Sequence, residues 1–274
     1  MHELPPGFTA SPTLPDAVPA APRSAATVVL LRDSAGGPEV YLLRRVIGMA
    51  FAGGMTAFPG GSVDPADALT EVPWAGRPPS AWATRLGTDE APARALVCAA
   101  VRETFEESGV LLAGAAPGEV VADVSGEQWE AERVSLEQHT QSLSQLLSSR
   151  RLLLQADLLR AWSHWITPEA EPRRFDTRFF VAALPTGQAT RHVGGEADRV
   201  RWMRPADAVA AHARGDLPML PPTAVTLDEL SSYPDAAAVL AAADERRIAP
   251  ILPRIIAVDG RVGIVLPGEP GYGG

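Results

Sequence analysis

The sequence predicts an α/β protein, an α/β/α sandwich around a mixed sheet with a helical insertion and a C-terminal extension. Three observations carry that expectation. β-Branched or aliphatic runs at 26–31, 40–44, 175–184 and 200–203 interleave with helical stretches at 89–108, 205–214, 223–231 and 234–244, the alternation that builds layered α/β folds. The stretch 95–101 is apolar throughout, which reads as a helix packed between other elements. Hydrophobic residues make up 46% of the 274, ample for a real core.

Residues 1–24 are rich in Pro, Ala and Ser without periodicity, so a disordered or loosely draped leader is expected. A hairpin follows, its strands at 26–31 and 40–44 joined by the turn residues 33–38. Met55 to Phe58 reads as a third strand running into Pro59-Gly60-Gly61. The segment 64–88 holds Pro65, Pro73, Pro78 and Pro79 beside Trp74 and Trp82. It reads as an irregular insertion with a helical turn near 80–86. Asp89 caps the next helix, Glu90 favours its positive end and Pro92 is tolerated in the first turn. Residues 126–161 suggest two or three helices, from Leu143, Leu146 and Leu147 and from Leu154, Leu158 and Trp162 at helical spacings. Ile255 to Val258 and Val262 to Leu266, around Asp259-Gly260, give a hairpin signal. The reading is one domain over 25–274, with insertions at 64–88 and 120–161.

Composition excludes several classes. A net charge of −9 speaks against a nucleic-acid footprint, which wants a basic face. All 24 cationic residues are arginine, a sign of coding bias rather than of phosphate binding. A lone cysteine, Cys98, cannot form an intramolecular disulfide. No apolar run reaches the ~18 residues of a membrane span, and no signal peptide or peroxisomal address is visible. Cytoplasm is the default expectation, and a homodimer would be ordinary.

The chemistry is carried by Glu103, Glu106 and Glu107, at i, i+3 and i+4 of the helix that ends at Ser108. This spacing sets their Cβ atoms roughly 5–6 Å apart on one face. Like charges so close repel, and a hard divalent cation removes that repulsion. Arg102 adds a planar fork of donors suited to orienting a carboxylate. Gly109 stands where a left-handed C-terminal cap is wanted.

The run Arg102-Glu103-Thr104-Phe105-Glu106-Glu107-Ser108-Gly109-Val110, with Phe58-Pro59-Gly60-Gly61 upstream, resembles the motif G-x5-E-x7-R-E-U-x-E-E-x-G-U of Nudix hydrolases, U being aliphatic. Thr104 occupies an aliphatic position. The family spacing leaves 13 residues between glycine and arginine, whereas 40 separate Gly61 from Arg102. Two positions compete for the mid-motif glutamate: Asp67, at its distance from Gly61, and Arg94, at its distance from Arg102. A long insertion here is similar to the branch that includes peroxisomal coenzyme A diphosphatases. So are Trp165-Ile166-Thr167-Pro168, Arg173 to Phe180, Leu220-Pro221-Pro222-Thr223 and Leu266-Pro267-Gly268-Glu269.

The resemblance implies hydrolysis of a nucleoside diphosphate linked to another group X, with coenzyme A or acyl-CoA favoured. ADP-ribose, NADH and dinucleotides are alternatives, and a nucleotide-sensing domain without catalysis is an alternative of another class. It implies Mg²⁺ or Mn²⁺ on Glu106 and Glu107, with Glu103 as ligand or water-orienting group and the Gly60 carbonyl as a further ligand. Arg102 would position a carboxylate. Glu196, in the loop His192-Val193-Gly194-Gly195-Glu196, is the candidate base, ahead of His192 and His164. Arg44 and Arg174 are candidates for the substrate phosphates, with Arg173 and Arg178 beside them. Trp74 and Trp82 suggest that the 64–88 insertion walls the pocket.

Overall fold

The computed structural model describes residues 2–4, 18–48, 52–68, 71–191, 194, 197–258 and 261–272. In chain order, the first elements are β1 (His2–Glu3), β2 (Arg23–Ser34), β3 (Gly37–Arg45), β4 (Thr56–Ala57), β5 (Gly60–Ser62) and β6 (Trp74–Ala75). Next come α1 (Pro79–Leu86), α2 (Glu90–Ser108), β7 (Ala113–Gly114), α3 (Glu127–Glu137), α4 (Leu143–Arg150) and β8 (Leu153–Gln155). The central strands β9 (Arg160–Ile166), β10 (Phe175–Ala183) and β11 (Ala197–Met203) precede α5 (Pro205–Ala213), α6 (Pro221–Leu230) and α7 (Ala236–Glu245). The last elements are β12 (Pro250–Ile251), β13 (Arg254–Val258) and β14 (Arg261–Val265).

The main sheet runs β11-β3-β2-β10-β9-β12, with β4 on β3 and β5 on β2. It is mixed: β2 and β10 are parallel, Thr27 opposite Phe179, while β3 and β9 are antiparallel to those neighbours. Strand side chains alternate between faces, and both faces here are apolar. Ala26, Val28, Leu30, Phe180 and Ala182 point to α1 and α2, while Val29, Leu31, Phe179 and Val181 point to α5, α6 and α7. That double burial is why β2 reads as a continuous hydrophobic run. The expected three-layer sandwich is present.

Helix α2 begins after Asp89, whose side chain makes no capping bond, and ends at Gly109 with φ 73°. The cap is main-chain: Gly109 N donates to Phe105 O at 2.9 Å. In the insertion, α1 buries Trp82 completely, edge to face with Phe180 at 5.7 Å between ring centroids. This segment braces the sheet from beneath.

Two expectations need correction. Leu154, Leu158 and Trp162 do not share a helix: α3 and α4 are followed by β8, a short 3₁₀ turn and β9. Trp165 pairs with Thr177 across the sheet, and ladder hydrogen bonds with tertiary burial overrule a local helical spacing. The leader also departs in part, since His2–Glu3 pairs antiparallel with β14, which in turn pairs with β13. Residues 5–17, the bulk of that expectation, lie outside the described residues, as do Asp259 and Gly260.

Candidate active site

β5 lies between the end of α2 and strand β2, and the closeness of these two approaches explains the glycines. A Cβ on Gly61 would sit 2.4 Å from Glu103 Oε1, and one on Gly60 would sit 2.5 Å from Ala26 O. Glu107 Oε2 accepts a hydrogen bond from Gly60 N at 2.7 Å. Arg102 is the hub. Its Nε and Nη2 donate to the two Asp67 carboxylate oxygens at 3.0 and 2.9 Å. Its Nη1 donates to Glu103 Oε1 at 2.9 Å and Glu106 Oε2 at 3.1 Å, and Nη2 also reaches Ser62 O. Every arm of this buried guanidinium is thus occupied, in charge-assisted hydrogen bonds to carboxylates for all but the Ser62 contact.

Asp67, 2% exposed, therefore answers the question left open between positions 67 and 94. It faces Arg102, whereas Arg94 donates to Ala68 O at the surface. The short 3₁₀ helix 65–68 returns Asp67 to the site despite the long insertion. No local periodicity pointed to it. Only its distance from Gly61 did.

Burial dominates the electrostatics. It pushes the Glu103 and Glu106 carboxyls up to about 7, against the opposing pull of Arg102. It also raises Asp67, again opposed by Arg102. For Arg102 itself, burial alone would favour the neutral form. The Asp67 hydrogen bond and the charges of Glu103, Asp67 and Glu106 outweigh burial and hold it cationic.

Among the described residues no three His, Cys, Asp or Glu side chains converge on a metal-holding geometry, because Arg102 draws Glu103 and Glu106 onto itself. The donor chemistry nevertheless fits a hard divalent cation. Glu103, Glu106 and Glu107 supply carboxylate oxygens of the type such ions select. Glu106 Oε1 is buried without a hydrogen-bond partner, an oxygen that calls for a cation or water.

These carboxylates form one wall of a cavity of about 580 Å³. The sequence stretches Trp165 to Pro168 and Leu220 to Thr223 both line it, with Phe58, Phe175 and Phe179. Glu137 at the end of α3 and His139 in the turn after it also line the cavity, both missed by sequence reasoning, and Arg45 lines it from β3. The chamber thus has an acidic end and a broad apolar body.

Several expected residues are placed elsewhere. Arg44 is tied to Asp198, its Nε donating at 2.7 Å, and Arg174 donates to Thr167 O and Ala20 O. Neither lines the cavity, since their donors fasten β3 to β11 and the β10 entry to the chain before β2. Adjacent strand residues face opposite ways, so Arg45 rather than Arg44 reaches the chamber. His164 and Arg178 both pair with Asp176, a structural triad outside the cavity, and Arg173 is exposed. Of the described residues of the 64–88 insertion, Asp64 and Pro65 at its start line the cavity, whereas Trp74 and Trp82 do not. Glu196 and His192 lie outside the described residues.

The crystal structure of a Nudix hydrolase from Alicyclobacillus acidocaldarius superposes with a TM-score of 0.68 at 32% identity, covering 81% of this chain and 96% of that one. A model of the NUDT19 Nudix domain matches residues 72–230, more than half of the chain. The chain belongs to the Nudix hydrolase family. It is 28% identical over 151 residues to the acyl-coenzyme A diphosphatase NUDT19 of Xenopus laevis, covering 50% of this chain and 39% of that protein. To a putative nudix hydrolase 7 of Caenorhabditis elegans it is 28% identical over 213 residues, covering 78% of this chain and 62% of that protein. The matches thus span less than two thirds of either relative's length.

Proposed function

We propose that this enzyme cleaves the diphosphate of a nucleoside diphosphate linked to a group X, with Mg²⁺ or Mn²⁺ as cofactor and coenzyme A or acyl-CoA as favoured substrate. The observation that carries this is the meeting of a carboxylate cluster with a broad apolar chamber in one cavity of about 580 Å³. An anhydride needs charge neutralisation at one end, and a bulky X needs desolvating walls at the other. The acyl-coenzyme A diphosphatase relatives support the choice of X.

In this reading Glu103, Glu106 and Glu107 hold the cation, with the Gly60 carbonyl as a further ligand. A divalent ion at this place supplies phosphate charge neutralisation and an acidified water. Arg102 keeps Glu103 and Glu106 in register, and Asp67 keeps Arg102 in place. Trp165, Phe175 and Phe179 exclude water around X. Glu196 is the proposed base, and cytoplasmic location and a homodimer belong to the same proposal. Neither nucleic acid nor a membrane is a proposed partner.

The test is incubation of the purified chain with coenzyme A, an acyl-CoA, ADP-ribose, NADH and a dinucleotide, with Mg²⁺ or Mn²⁺, products being resolved by mass. Diphosphate cleavage with coenzyme A or acyl-CoA ranked first is expected. Preferred cleavage of ADP-ribose, NADH or a dinucleotide would replace the choice of X. Binding without cleavage of any would mean a sensor and would end the catalytic reading.

A further inference from the structure

The last turn of α2 is an electrostatic anomaly. A helix C-terminus carries partial negative charge and leaves its final carbonyls without intrahelical partners. Here Glu106 and Glu107 stand in that turn, and the helix supplies no basic residue there. The main-chain carbonyls are answered by Gly109 of the motif and by three donors from elsewhere in the chain. Gly109 N caps Phe105 O, Arg191 N donates to Ser108 O at 3.0 Å, and the Tyr41 hydroxyl lies 3.5 Å from Glu107 O. The partner of Glu106 O is Arg133 of the inserted helix α3, whose Nη1 donates at 2.9 Å. Among these four donors it alone is cationic.

Arg133 is 2% exposed, which is rare for an arginine without a specific task. The same Nη1 donates to Glu137 Oε2 at 3.0 Å, and Nε and Nη2 grip Glu130 at 3.1 and 2.7 Å. Glu137 and Glu106 line the same cavity. One guanidinium thus fixes the main chain at Glu106 and a fourth carboxylate at the rim.

We propose that Arg133 is a positioning residue of the active site, through which inserted helix α3 sets the carboxylate face of α2 and presents Glu137 to the cavity. This rests on the metal-dependent reading above. The insertion then does more than enlarge the molecule: it delivers the cation that the catalytic helix lacks at its negative end.

The experiment compares wild type, Arg133→Met, Arg133→Lys and Glu130→Gln. Mn²⁺ binding to the metal-free protein is followed by electron paramagnetic resonance, at a temperature where circular dichroism shows each variant folded. Turnover of coenzyme A is the second readout. Arg133→Met should weaken Mn²⁺ binding and lower kcat by about 10- to 100-fold, as loss of a residue orienting metal ligands typically does, with KM changed less than about twofold. Arg133→Lys should recover part of the loss, because an ammonium serves one of the two acceptors without the fork. Glu130→Gln, which weakens the grip of Glu130 on both Arg133 and Arg191, should lower the melting temperature and weaken Mn²⁺ binding less than Arg133→Met does. Native Mn²⁺ affinity and kcat in Arg133→Met would overturn the proposal. If that variant does not fold, Arg133→Lys decides: reduced Mn²⁺ affinity in the folded variant supports the proposal, and native affinity overturns it. Should coenzyme A not be turned over, the Mn²⁺ affinities decide alone. Glu107→Gln separates the two readings: if wild type binds no Mn²⁺ and this variant matches it, the metal-dependent reading fails and takes the proposal with it. Loss of Mn²⁺ in Glu107→Gln beside native binding in Arg133→Met sinks the proposal alone.

Discussion

Glu106 holds the site's clearest pH signature. Burial raises its carboxyl from an ordinary 4.5 to about 7, with Arg102 opposing the shift. Below about pH 4.5 the side chain is protonated folded or unfolded, and nothing is lost. Between 4.5 and 7 only the folded state keeps the proton, so stability of the metal-free protein falls as pH rises and the loss is complete above 7. Thermal melts in EDTA at pH 5 and pH 8 should show a larger drop for wild type than for Glu106→Gln, by several degrees. An equal drop would mean that Glu106 is solvated. A divalent cation should raise the wild-type melting temperature more at pH 8 than at pH 5, because it binds the ionised carboxylates. Asp67 makes a second prediction at this scale. Asp67→Asn removes the charge opposite the buried Arg102 and one of its two acceptor oxygens, leaving Glu103 and Glu106 as its charged partners. Removing one partner of a buried ion pair typically costs ~3–5 kcal/mol. Urea unfolding should record a loss of that order, and a loss under ~1 kcal/mol would show that Asp67 is not the partner that matters.

Elements show how an insertion is tolerated inside a catalytic motif. Loop closure entropy grows slowly with length, and this loop offsets it by burying Trp82 against Phe180 and α2. Trp82→Ala should therefore cost ~3–5 kcal/mol, as large-to-small core changes do, while substrate ranking stays as in wild type. A changed ranking at native stability would return the segment to the pocket wall. α3 differs from α1 in this respect, for its Arg133 and Glu137 reach the site itself. The sequence suggested helices within 126–161 and said nothing of where α3 docks.

At the scale of the whole molecule, the chamber arises where segments far apart in sequence close over the end of α2. Strands β5, β9 and β10, the start of α6 and the β13–β14 hairpin all contribute lining. Thr177, on β10, faces this space. Thr177→Trp should fill part of it and raise KM for coenzyme A by about tenfold, roughly 1.4 kcal/mol of lost binding, with Mn²⁺ affinity unchanged. Unaltered KM values across the substrate panel would mean that X lies elsewhere.

What the sequence determined by itself was local and periodic. Glu103, Glu106 and Glu107 share a face because helical geometry brings i, i+3 and i+4 together, and Gly109 ends that helix because its φ of 73° suits glycine. The hairpin of β2 and β3 and the helices α5, α6 and α7 were readable for the same reason, as was the α/β class. Tertiary structure decided whatever depends on contacts between distant segments. It brought Asp67 rather than position 94 to Arg102, turned Arg45 and not Arg44 toward the chamber, and made Trp162 part of a strand. It also placed Arg133 beneath Glu106. Periodicity describes one element at a time, whereas these pairings follow from how elements pack, which burial and hydrogen bonding settle only once the chain has closed.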